Sequence, residues 1–388
     1  MPEYTPPRLA DKLHCTGCGA CANGCPRTAI HMLPDREGFL HPTVTDACIQ
    51  CGHCSHICPV LKQREPRPAP TAFAVWNADE ETRHLSGCGG VFSLLAEFIL
   101  DDGGVVFGAA LDENFRVRHT AIQSKSEIHR LRGPKLVQSE IGDSYQLVRR
   151  YLDRGRRVLF TGTPCQVDGL YRFLGEHPEK LLTVDILCGG APSPGVWEQL
   201  VRSMTYIKQK KPLSISFCAK LDGEKERRFR VNFEGGSVYD APLSRSEWGL
   251  GLQHRLFLRP SCHTCPYTTC DRVGDLSLGC YRGLPKDFAP SEQEKGISVL
   301  LVNSAKGAHM FDTLPLKKEK RPLEEIAATN AALSAPCSPA EDRAAFFDAF
   351  SHQNFQQVRQ RFLVSAPLPV EHIRKKLSLP RIFRKKEK

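Results

Sequence analysis

Eight cysteines near the N-terminus have the residue type and spacing to hold metal clusters. They form two runs of the pattern C-x2-C-x2-C-x3-C-P, the first beginning at Cys15 and the second at Cys48. Three thiols two residues apart let one tight loop wrap a face of a cluster, and the proline turns the chain away because it cannot continue a helix. A zinc site would need neither the third cysteine nor the Cys-Pro ending. The pattern therefore argues against a zinc ribbon, and a disulfide framework is the other alternative to a metal cluster.

The two runs resemble the cysteine motif of bacterial ferredoxins, in which the fourth cysteine of each run ligates the other cluster. The resemblance implies two [4Fe-4S] clusters. The first would be held by Cys15, Cys18, Cys21 and Cys58, and the second by Cys48, Cys51, Cys54 and Cys25.

The composition of the whole chain is that of an ordinary globular protein. Its 388 residues, 41% hydrophobic and 25% charged, are enough for two or three domains. No apolar stretch reaches the length of about 18 residues that a membrane-spanning helix needs. The first residues lack the basic and apolar regions of a signal peptide. Seventeen cysteines without an export signal indicate a reducing compartment, so we expect a cytoplasmic protein.

Positive charge is concentrated in the last eighteen residues. The segment from Glu371 to Lys388 contains eight Lys or Arg and two Glu, and so carries +6 of the net +10. It is either a solvated tail or a docking segment for an anionic membrane surface or an acidic partner. The folded domains carry no basic stripe interleaved with aromatics, so we expect no nucleic-acid binding.

Beyond residue 70 the pattern alternates between strands and helices. Strands are predicted at residues 73–76, 104–109, 157–161 and 181–187, and helices at 91–100 and 144–154. Residues 214–217 and 228–233, with Gly235-Gly236, predict a hairpin. Ser338-Pro339-Ala340-Glu341 has capping-box spacing and predicts a helix that begins there and runs to about Phe362. We predict an α+β protein: a dicluster ferredoxin-like module, then a mixed α/β flavin- and cluster-binding core with a C-terminal helix.

Further cysteines are candidates for a third metal site. Cys262 and Cys265 form a C-x2-C pair, while Cys165 and Cys188 each follow a predicted strand. Strand ends converge at one edge of a sheet, so four thiolates could complete a [4Fe-4S] or a zinc site there. Buried structural thiols are the alternative. Cys270 is a reserve ligand, and no role is assigned to Cys88, Cys218, Cys280 and Cys337.

A glycine-rich segment, Ser86 to Val91, precedes the helix predicted at 91–100. Free backbone N–H groups at a helix N-terminus favour phosphate, so a dinucleotide pyrophosphate could bind there. The segment does not follow the G-x-G-x-x-G pattern, and a plain loop-to-helix turn is the alternative.

The order of these motifs resembles the coenzyme F420 hydrogenase/dehydrogenase beta-subunit family, in its bacterial form with a fused dicluster ferredoxin domain. The resemblance extends from about residue 10 to 363, and the domains it suggests are 1–61 (ferredoxin), 62–70 (linker), 71–200 (flavin domain), 201–363 (C-terminal domain with a cluster loop) and 364–388 (basic tail). The segments that carry it are SGCGGVFSLLAEFIL, GGVVFGAALDENFRV, LRGPKLVQSEIGDSYQLV, LFTGTPCQVDGL, VDILCGGAPSPGVW, LFLRPSCHTCPYTTCDRVGDLSLG and RAAFFDAF.

The resemblance implies an iron–sulfur flavoprotein oxidoreductase with FAD and one further [4Fe-4S] cluster in the core. It assigns the third cluster to Cys165, Cys188, Cys262 and Cys265, and flavin contacts to Gly89, Gly90, Lys135 and Thr163. The chain departs from the family pattern at Cys88, where relatives have Ser, and at Cys280-Tyr281-Arg282, where they have Asp-Phe-Trp. These departures leave the substrate unassigned.

The implied partner is a redox protein or a small-molecule electron donor or acceptor. The alternative to an enzyme is an electron-transfer subunit that serves a partner enzyme. A structural or regulatory role in surface-polysaccharide biosynthesis is the third expectation.

Overall fold

The structure is a computed structural model that describes residues 7–62, 64–221, 226–285 and 287–364. These residues form strands β1 (Ile30–Pro34), β2 (Leu40–Val44), β3 (Thr71–Asn77), β4 (Val105–Leu111), β5 (Val117–Ile122), β6 (Val158–Gly162), β7 (Leu181–Ile186), β8 (Pro212–Ala219), β9 (Arg228–Phe233), β10 (Val238–Pro242), β11 (Leu276–Cys280), β12 (Ser298–Val302) and β13 (Leu316–Arg321).

The helices are α1 (Ala20–Asn23), α2 (His53–His56), α3 (Glu80–Leu85), α4 (Val91–Asp101), α5 (Ile128–Leu131), α6 (Ser144–Asp153), α7 (Pro164–Leu174), α8 (Pro194–Lys208), α9 (Glu247–Gln253), α10 (Pro290–Lys295), α11 (Ala305–Thr313), α12 (Leu323–Thr329), α13 (Arg343–His352) and α14 (Phe355–Phe362). Within the described ranges, no helix is long and apolar enough to cross a bilayer.

The two cysteine runs fold alike. Each run makes a loop that reaches a glycine with positive φ, Gly19 (φ +75) or Gly52 (φ +72), and then a four-residue helix, α1 or α2. A glycine suits this position because it has no Cβ to oppose the left-handed backbone. An antiparallel β1–β2 hairpin lies between the runs, with Ile30 paired to Val44. The repeat seen in the sequence is therefore also a repeat in backbone geometry.

An eight-stranded sheet forms the centre of the core, in the order β13-β3-β12-β11-β7-β6-β4-β5. Strands β4, β6, β7 and β11 pair in parallel, and β12 pairs antiparallel with both β11 and β3, so β3 runs in the same direction as β11. The carboxyl ends of five strands therefore meet at one edge, which is where open α/β sheets bind ligands. The sheet includes strands from both sides of residue 200.

Apolar side chains fill both faces of this sheet. Successive residues of a strand point to opposite faces, so Leu159 packs on the side of α4 while Phe160 packs on the side of α6 and α7. A smaller antiparallel sheet, β10-β9-β8, packs with α8, α9, α13 and α14 around the buried Trp197 and Trp248. The predicted mixed α/β core with a dicluster module is confirmed.

Two local predictions differ from the structure. Gly235-Gly236 forms the turn between β9 and β10. The predicted hairpin, β8 and β9, is therefore part of a three-stranded sheet. The capping box predicted at Ser338 is wrong, because the helix begins at Arg343 and breaks at Gln353, where Asn354 caps a second helix. The Asn354 side chain accepts a hydrogen bond from the Gln356 N–H, which favours a new helix start over continuation.

Candidate cofactor site

Cys58 lies with the first cysteine run and not with its own. Burial raises the pKa of Cys18 and Cys21 far above the usual range, and the nearby charges of Cys15 and Cys58 raise it further. Burial also raises the pKa of Cys15, but a hydrogen bond with His41 and the charge of Arg259 outweigh it and lower the pKa overall. The structure thus brings together the four residues predicted to hold one cluster.

The second set surrounds a cavity at the other end of the module. The cavity is small and partly open to solvent, and it is lined by Cys25, Cys48, Cys51 and Cys54 together with apolar residues such as Ile30 and Ile49. The four cysteines suit a four-iron cluster, because such clusters are held by four cysteine thiolates. Cys51 is exposed, which places this set at the protein surface.

The third set lies at the carboxyl edge of the large sheet. Cys165 begins α7 directly after β6, Cys188 follows β7, Cys262 lies in the 3-10 turn Pro260–Thr264, and Cys265 directly follows that turn. Burial raises the pKa of Cys165 and Cys262, and the charges of the other thiols in the set add to it; burial also raises the pKa of Cys188, to about 11. The structure thus brings these four thiols into one partly buried group, which metal binding would stabilise as thiolates.

Polar groups contact the sulfurs of this third set. The Ala191 N–H donates to Cys262 Sγ at 3.2 Å and the Gly190 N–H to Cys188 Sγ at 3.4 Å, while the Thr163 hydroxyl lies 3.1 Å from Cys165 Sγ, where either group can be the donor. Hydrogen bonds to sulfur are one of the means by which proteins set a cluster's potential.

The third set consists of four cysteines. Four thiolates can hold either a [4Fe-4S] cluster or a zinc ion, so ligand type alone leaves both open.

Cys337 is an additional thiol at this site. Its charge raises the pKa of Cys188, Cys262 and Cys265, although burial is the larger cause for each. Cys270, the predicted reserve ligand, instead points to the Leu333 carbonyl at 3.6 Å and packs in a separate apolar cluster. The sequence offered no spacing signal for Cys337, which approaches the site from a distant part of the chain.

A buried ion pair connects two of the segments that carry the third set of cysteines. Asp185, the last buried residue of β7, lies 2.5 Å from Arg272, and both side chains are about 1% exposed or less. The other carboxylate oxygen accepts the Val273 and Gly274 N–H groups at 3.1 and 2.8 Å, while Arg272 donates to the Tyr267 carbonyl at 2.9 Å. The pair thus connects the strand before Cys188 to the loop after Cys265.

The first and third sets adjoin. Cys18 and Cys165 are close enough that each one's charge raises the pKa of the buried Tyr145, after burial itself. The Tyr145 hydroxyl lies 2.8 Å from the Cys18 carbonyl and 2.7 Å from the Gln166 carbonyl. A Cβ on Gly169 would lie 3.1 Å from Cys18 Sγ, so only a glycine lets α7 approach this closely.

The ferredoxin module is fixed to the core at several points. Buried Arg259 donates to the carbonyls of Cys15 and Leu40 at 2.7 and 2.9 Å and to the Gln138 side chain at 3.0 Å. At the far side, Gly38 in the β1–β2 turn abuts Gly195 at the start of α8, where a Cβ on Gly38 would lie 2.5 Å from Gly195 Cα. Two backbones in direct contact leave no room for a side chain.

The predicted linker is also held against the core. Arg64 pairs with Asp271 at 2.7 Å, and Arg67 donates to the Val273 carbonyl at 2.6 Å. Both contacts lie on the loop that follows Cys265.

The predicted flavin contacts fall into two places. Gly89 and Gly90 (φ +80) precede α4 at the carboxyl end of β3, and the segment meets the loop of Lys135, since a Cβ on Gly87 would lie 2.8 Å from Pro134. Lys135 donates to the Arg132 carbonyl at 2.9 Å, and burial lowers its pKa to about 7. Thr163 instead caps α7 beside Cys165.

Comparison with known proteins agrees with this arrangement. Residues 155–326 match the family described as the C terminus of the beta subunit of coenzyme F420 hydrogenase/dehydrogenase, and residues 14–62 match a 4Fe-4S dicluster domain. The chain thus contains, at residues 155–326, a region homologous to the C terminus of this beta subunit. It is an iron–sulfur protein of the oxidoreductase class, with a dicluster domain at its N-terminus.

Two curated relatives are similar over most of the chain. One subunit of the F(420)H(2) dehydrogenase of Methanosarcina mazei is 21% identical over 289 residues, which are 71% of this chain and 78% of the relative. The coenzyme F420-dependent sulfite reductase of Methanocaldococcus jannaschii is 23% identical over 354 residues, 84% of this chain but 50% of the relative. This chain thus spans half the length of the reductase.

A solved structure is also similar. A chain of the F420-reducing [NiFe] hydrogenase complex from Methanosarcina barkeri matches with a TM-score of 0.45 and 19% identity, over 76% of this chain and 92% of that one.

Proposed function

We propose that the chain is a flavin-dependent iron–sulfur oxidoreductase that passes electrons between three [4Fe-4S] clusters and FAD for the two-electron oxidation or reduction of a substrate. The contact of the first and third cysteine sets through Gly169 is the observation that carries this proposal. Redox centres exchange electrons when they are close, and here Cys18 of one predicted centre packs against α7, the helix that carries Cys165 of the other. We also place the protein in the cytoplasm, because seventeen cysteines predict a reducing compartment.

The chain's own residues would bind and tune these groups. A bound flavin would supply the step between one-electron and two-electron chemistry. Gly89 and Gly90 present backbone at the start of α4, where phosphate binding is favourable. Lys135 lies in the adjoining loop and would supply a positive charge to an anionic group of the flavin.

Metal content tests the third cluster directly. Protein purified under argon is expected to contain about twelve iron and about twelve sulfide per chain, because each of three clusters holds four of each. Cys188→Ser should lose about four of each, whereas Cys270→Ser, which changes a thiol outside the set, should retain all. About eight iron in the wild type, with no further loss in Cys188→Ser, would contradict the third cluster.

Flavin content is measured on the same samples. One FAD per chain is expected, released by acid and identified by chromatography. A protein with twelve iron and no flavin would contradict the flavin while leaving the clusters in place.

The charge of Lys135 gives FAD binding a pH dependence. Its pKa of about 7 in the free site means that binding an anionic group at higher pH requires uptake of a proton. FAD affinity should therefore fall as pH rises above about 7, by at most about tenfold per pH unit. Lys135→Met should bind FAD about 1.5–3 kcal/mol more weakly at pH 7, the range of hydrogen bonds to charged groups, and show little pH dependence.

Lys125→Met is the matched control for this prediction. Lys125 is about half exposed and pairs with Asp101 on the surface, so its removal should leave FAD affinity unchanged. Equal titration curves for the wild type and Lys135→Met would show that this lysine does not contact the flavin.

A second candidate function is electron transfer to a partner enzyme without a substrate of its own. The exposed thiol of Cys51 and the 58% exposed Ile49 beside it support it, because together they present the second set at the surface. One curated relative is likewise named as a subunit. Turnover of a deazaflavin, a nicotinamide or a small organic acceptor by the isolated chain would exclude this candidate.

The basic tail from Glu371 lies outside the described residues. Its peripheral contact with a membrane surface and a role in surface-polysaccharide biosynthesis stay predictions from the sequence.

A further inference from the structure

Three cysteines outside the predicted cluster sets lie together at the carboxyl edge of the large sheet. Cys280 ends β11, Cys88 precedes α4, and Cys218 lies on β8. The pKa of Cys218 is raised mainly by burial, and the pKa of Cys280 mainly by a hydrogen bond with Cys88. In both cases the charge of Cys88 raises the pKa further. Three separate segments thus converge on one group of thiols.

Main-chain contacts fix Cys88 next to Cys280. Cys280 is paired with Ser298 across the β11–β12 ladder. The Cys88 thiol donates to the Ile297 carbonyl at 3.0 Å, and the Gly89 N–H donates to Ser298 Oγ at 3.0 Å. Ile297 directly precedes Ser298, so the thiol of Cys88 and the strand residue Cys280 both lie beside the start of β12. The register of the sheet therefore determines their proximity.

Two cationic side chains lie beside the loop that carries Cys88. Lys220 Nζ donates to the carbonyls of Arg83, Cys88 and Lys295 at 2.7, 2.8 and 2.7 Å. A Cβ on Gly296 would lie 3.2 Å from both the Arg227 guanidinium and the Cys88 carbonyl, so Arg227 also adjoins the Cys88 loop. Lys220 thus holds the loop that carries Cys88, and both residues bring positive charge to it.

The environments of the two thiols are unequal. A hydrogen bond from Cys280 is the largest cause that lowers the pKa of Cys88, and the charges of Lys220 and Arg227 add to it against the effect of burial. The same hydrogen bond raises the pKa of Cys280. Cys88 is therefore the more readily ionised of the two thiols and Cys280 the less, as an attacking and a resolving cysteine require.

A small molecule can reach this pair from solvent. Cys280 is exposed, and Cys88 is half-buried behind it. A half-buried sulfur is more accessible to a small molecule than to a folded protein, and the two cations favour an anionic one.

We propose that Cys88 and Cys280 form a redox-active thiol pair that reduces small anionic disulfides, with Cys88 as the attacking thiol. The Cys88 thiolate attacks one sulfur of the substrate, forms a mixed disulfide and releases the first substrate thiolate. Cys280 then loses its proton and attacks the Cys88 sulfur, which forms the Cys88–Cys280 disulfide and releases the second substrate thiolate. In sum, two electrons pass from the pair to the substrate, and the one proton that Cys280 loses becomes available to a released thiolate.

A single exchange needs only the reduced pair. Repeated turnover needs two electrons and one proton to return the Cys88–Cys280 disulfide to a thiolate and a thiol, and this part rests on the proposed function, whose clusters and flavin would supply the electrons. The two parts can be measured separately.

Oxidised glutathione is the probe for the single exchange. Full-length protein, purified under argon with its clusters intact, is mixed with the probe, quenched with acid, alkylated and analysed as peptides by mass spectrometry. We expect a peptide pair joined through Cys88 and Cys280. Cys280→Ser should instead accumulate glutathione on Cys88, Cys88→Ser should lose both products, and Cys270→Ser should behave as the wild type.

The proposal is overturned if Cys88 and Cys280 remain fully alkylated in the wild type, or if glutathione attaches to Cys280 in Cys88→Ser as readily as to Cys88 in Cys280→Ser. Iron measured on each sample shows whether oxidation of a cluster released thiols. A protein without flavin or without the third cluster would still make the exchange, so failure of the proposed function is a distinct result.

Discussion

Replacing Asp185 with alanine is expected to lower the free energy of unfolding by about 3–5 kcal/mol, the cost of leaving one partner of a buried ion pair uncompensated. Arg272 would keep its charge at about 1% exposure while losing the carboxylate at 2.5 Å, and two backbone N–H groups would lose their acceptor. Because the pair connects the segments of Cys188 and Cys265, the same change should also remove iron from the third set.

The measurement is urea unfolding under argon, followed by circular dichroism, with iron determined on the protein before unfolding. Asp102→Ala is the matched control, because Asp102 pairs with Arg157 at 3.0 Å while 56% exposed. Surface pairs contribute about 0–1 kcal/mol, so the control should unfold close to the wild type and keep its iron. Wild-type stability and iron content in Asp185→Ala would mean that the ion pair does not support the site.

Replacing Arg259 with methionine is expected to weaken the attachment of the ferredoxin module by about 3–5 kcal/mol. The guanidinium is about 1% exposed and is the donor to the Cys15 and Leu40 carbonyls and the Gln138 side chain, all of which would lose their partner. Methionine preserves much of the apolar volume against Phe39, so the loss is one of hydrogen bonds and charge more than of packing.

Limited proteolysis detects this loosening. The segment after the module, residues 64–70, should be cut faster in Arg259→Met than in the wild type, with the core fragment surviving. Arg202→Met serves as the control, because Arg202 is 68% exposed and its removal should not change the cleavage rate. Identical digestion of Arg259→Met and the wild type would show that the other contacts suffice to hold the module.

The parts of the site that the sequence could predict are those encoded locally or by general rules of sheets. Each ferredoxin run lies within about a dozen residues, and its turns need only a glycine with positive φ at Gly19 and Gly52. Cys165 and Cys188 could be placed together because each follows a strand, and the carboxyl ends of parallel strands share an edge.

What could not be predicted depends on contacts between distant segments. Cys88 meets Cys280 only because the β12 strand lies between β3 and β11, a strand order that no local pattern encodes. Cys337 reaches the third set from a loop without periodicity, and nothing in its own sequence signals that position. The capping box at Ser338 failed for a related reason, because a local motif competes with the packing of the helices that follow.

The backbone contact of Gly38 with Gly195 determines what kind of electron carrier the N-terminal module is. A free ferredoxin finds its acceptor by diffusion, so its rate of electron transfer falls as solvent viscosity rises and as the ferredoxin concentration falls. Here the β1–β2 hairpin, Arg259 and Tyr145 each make contacts that hold the module against the core. Contacts made on folding thus fix the distance between the module and the core. Under the proposed function, we expect the rate of electron transfer within the chain to be independent of protein concentration and of solvent viscosity.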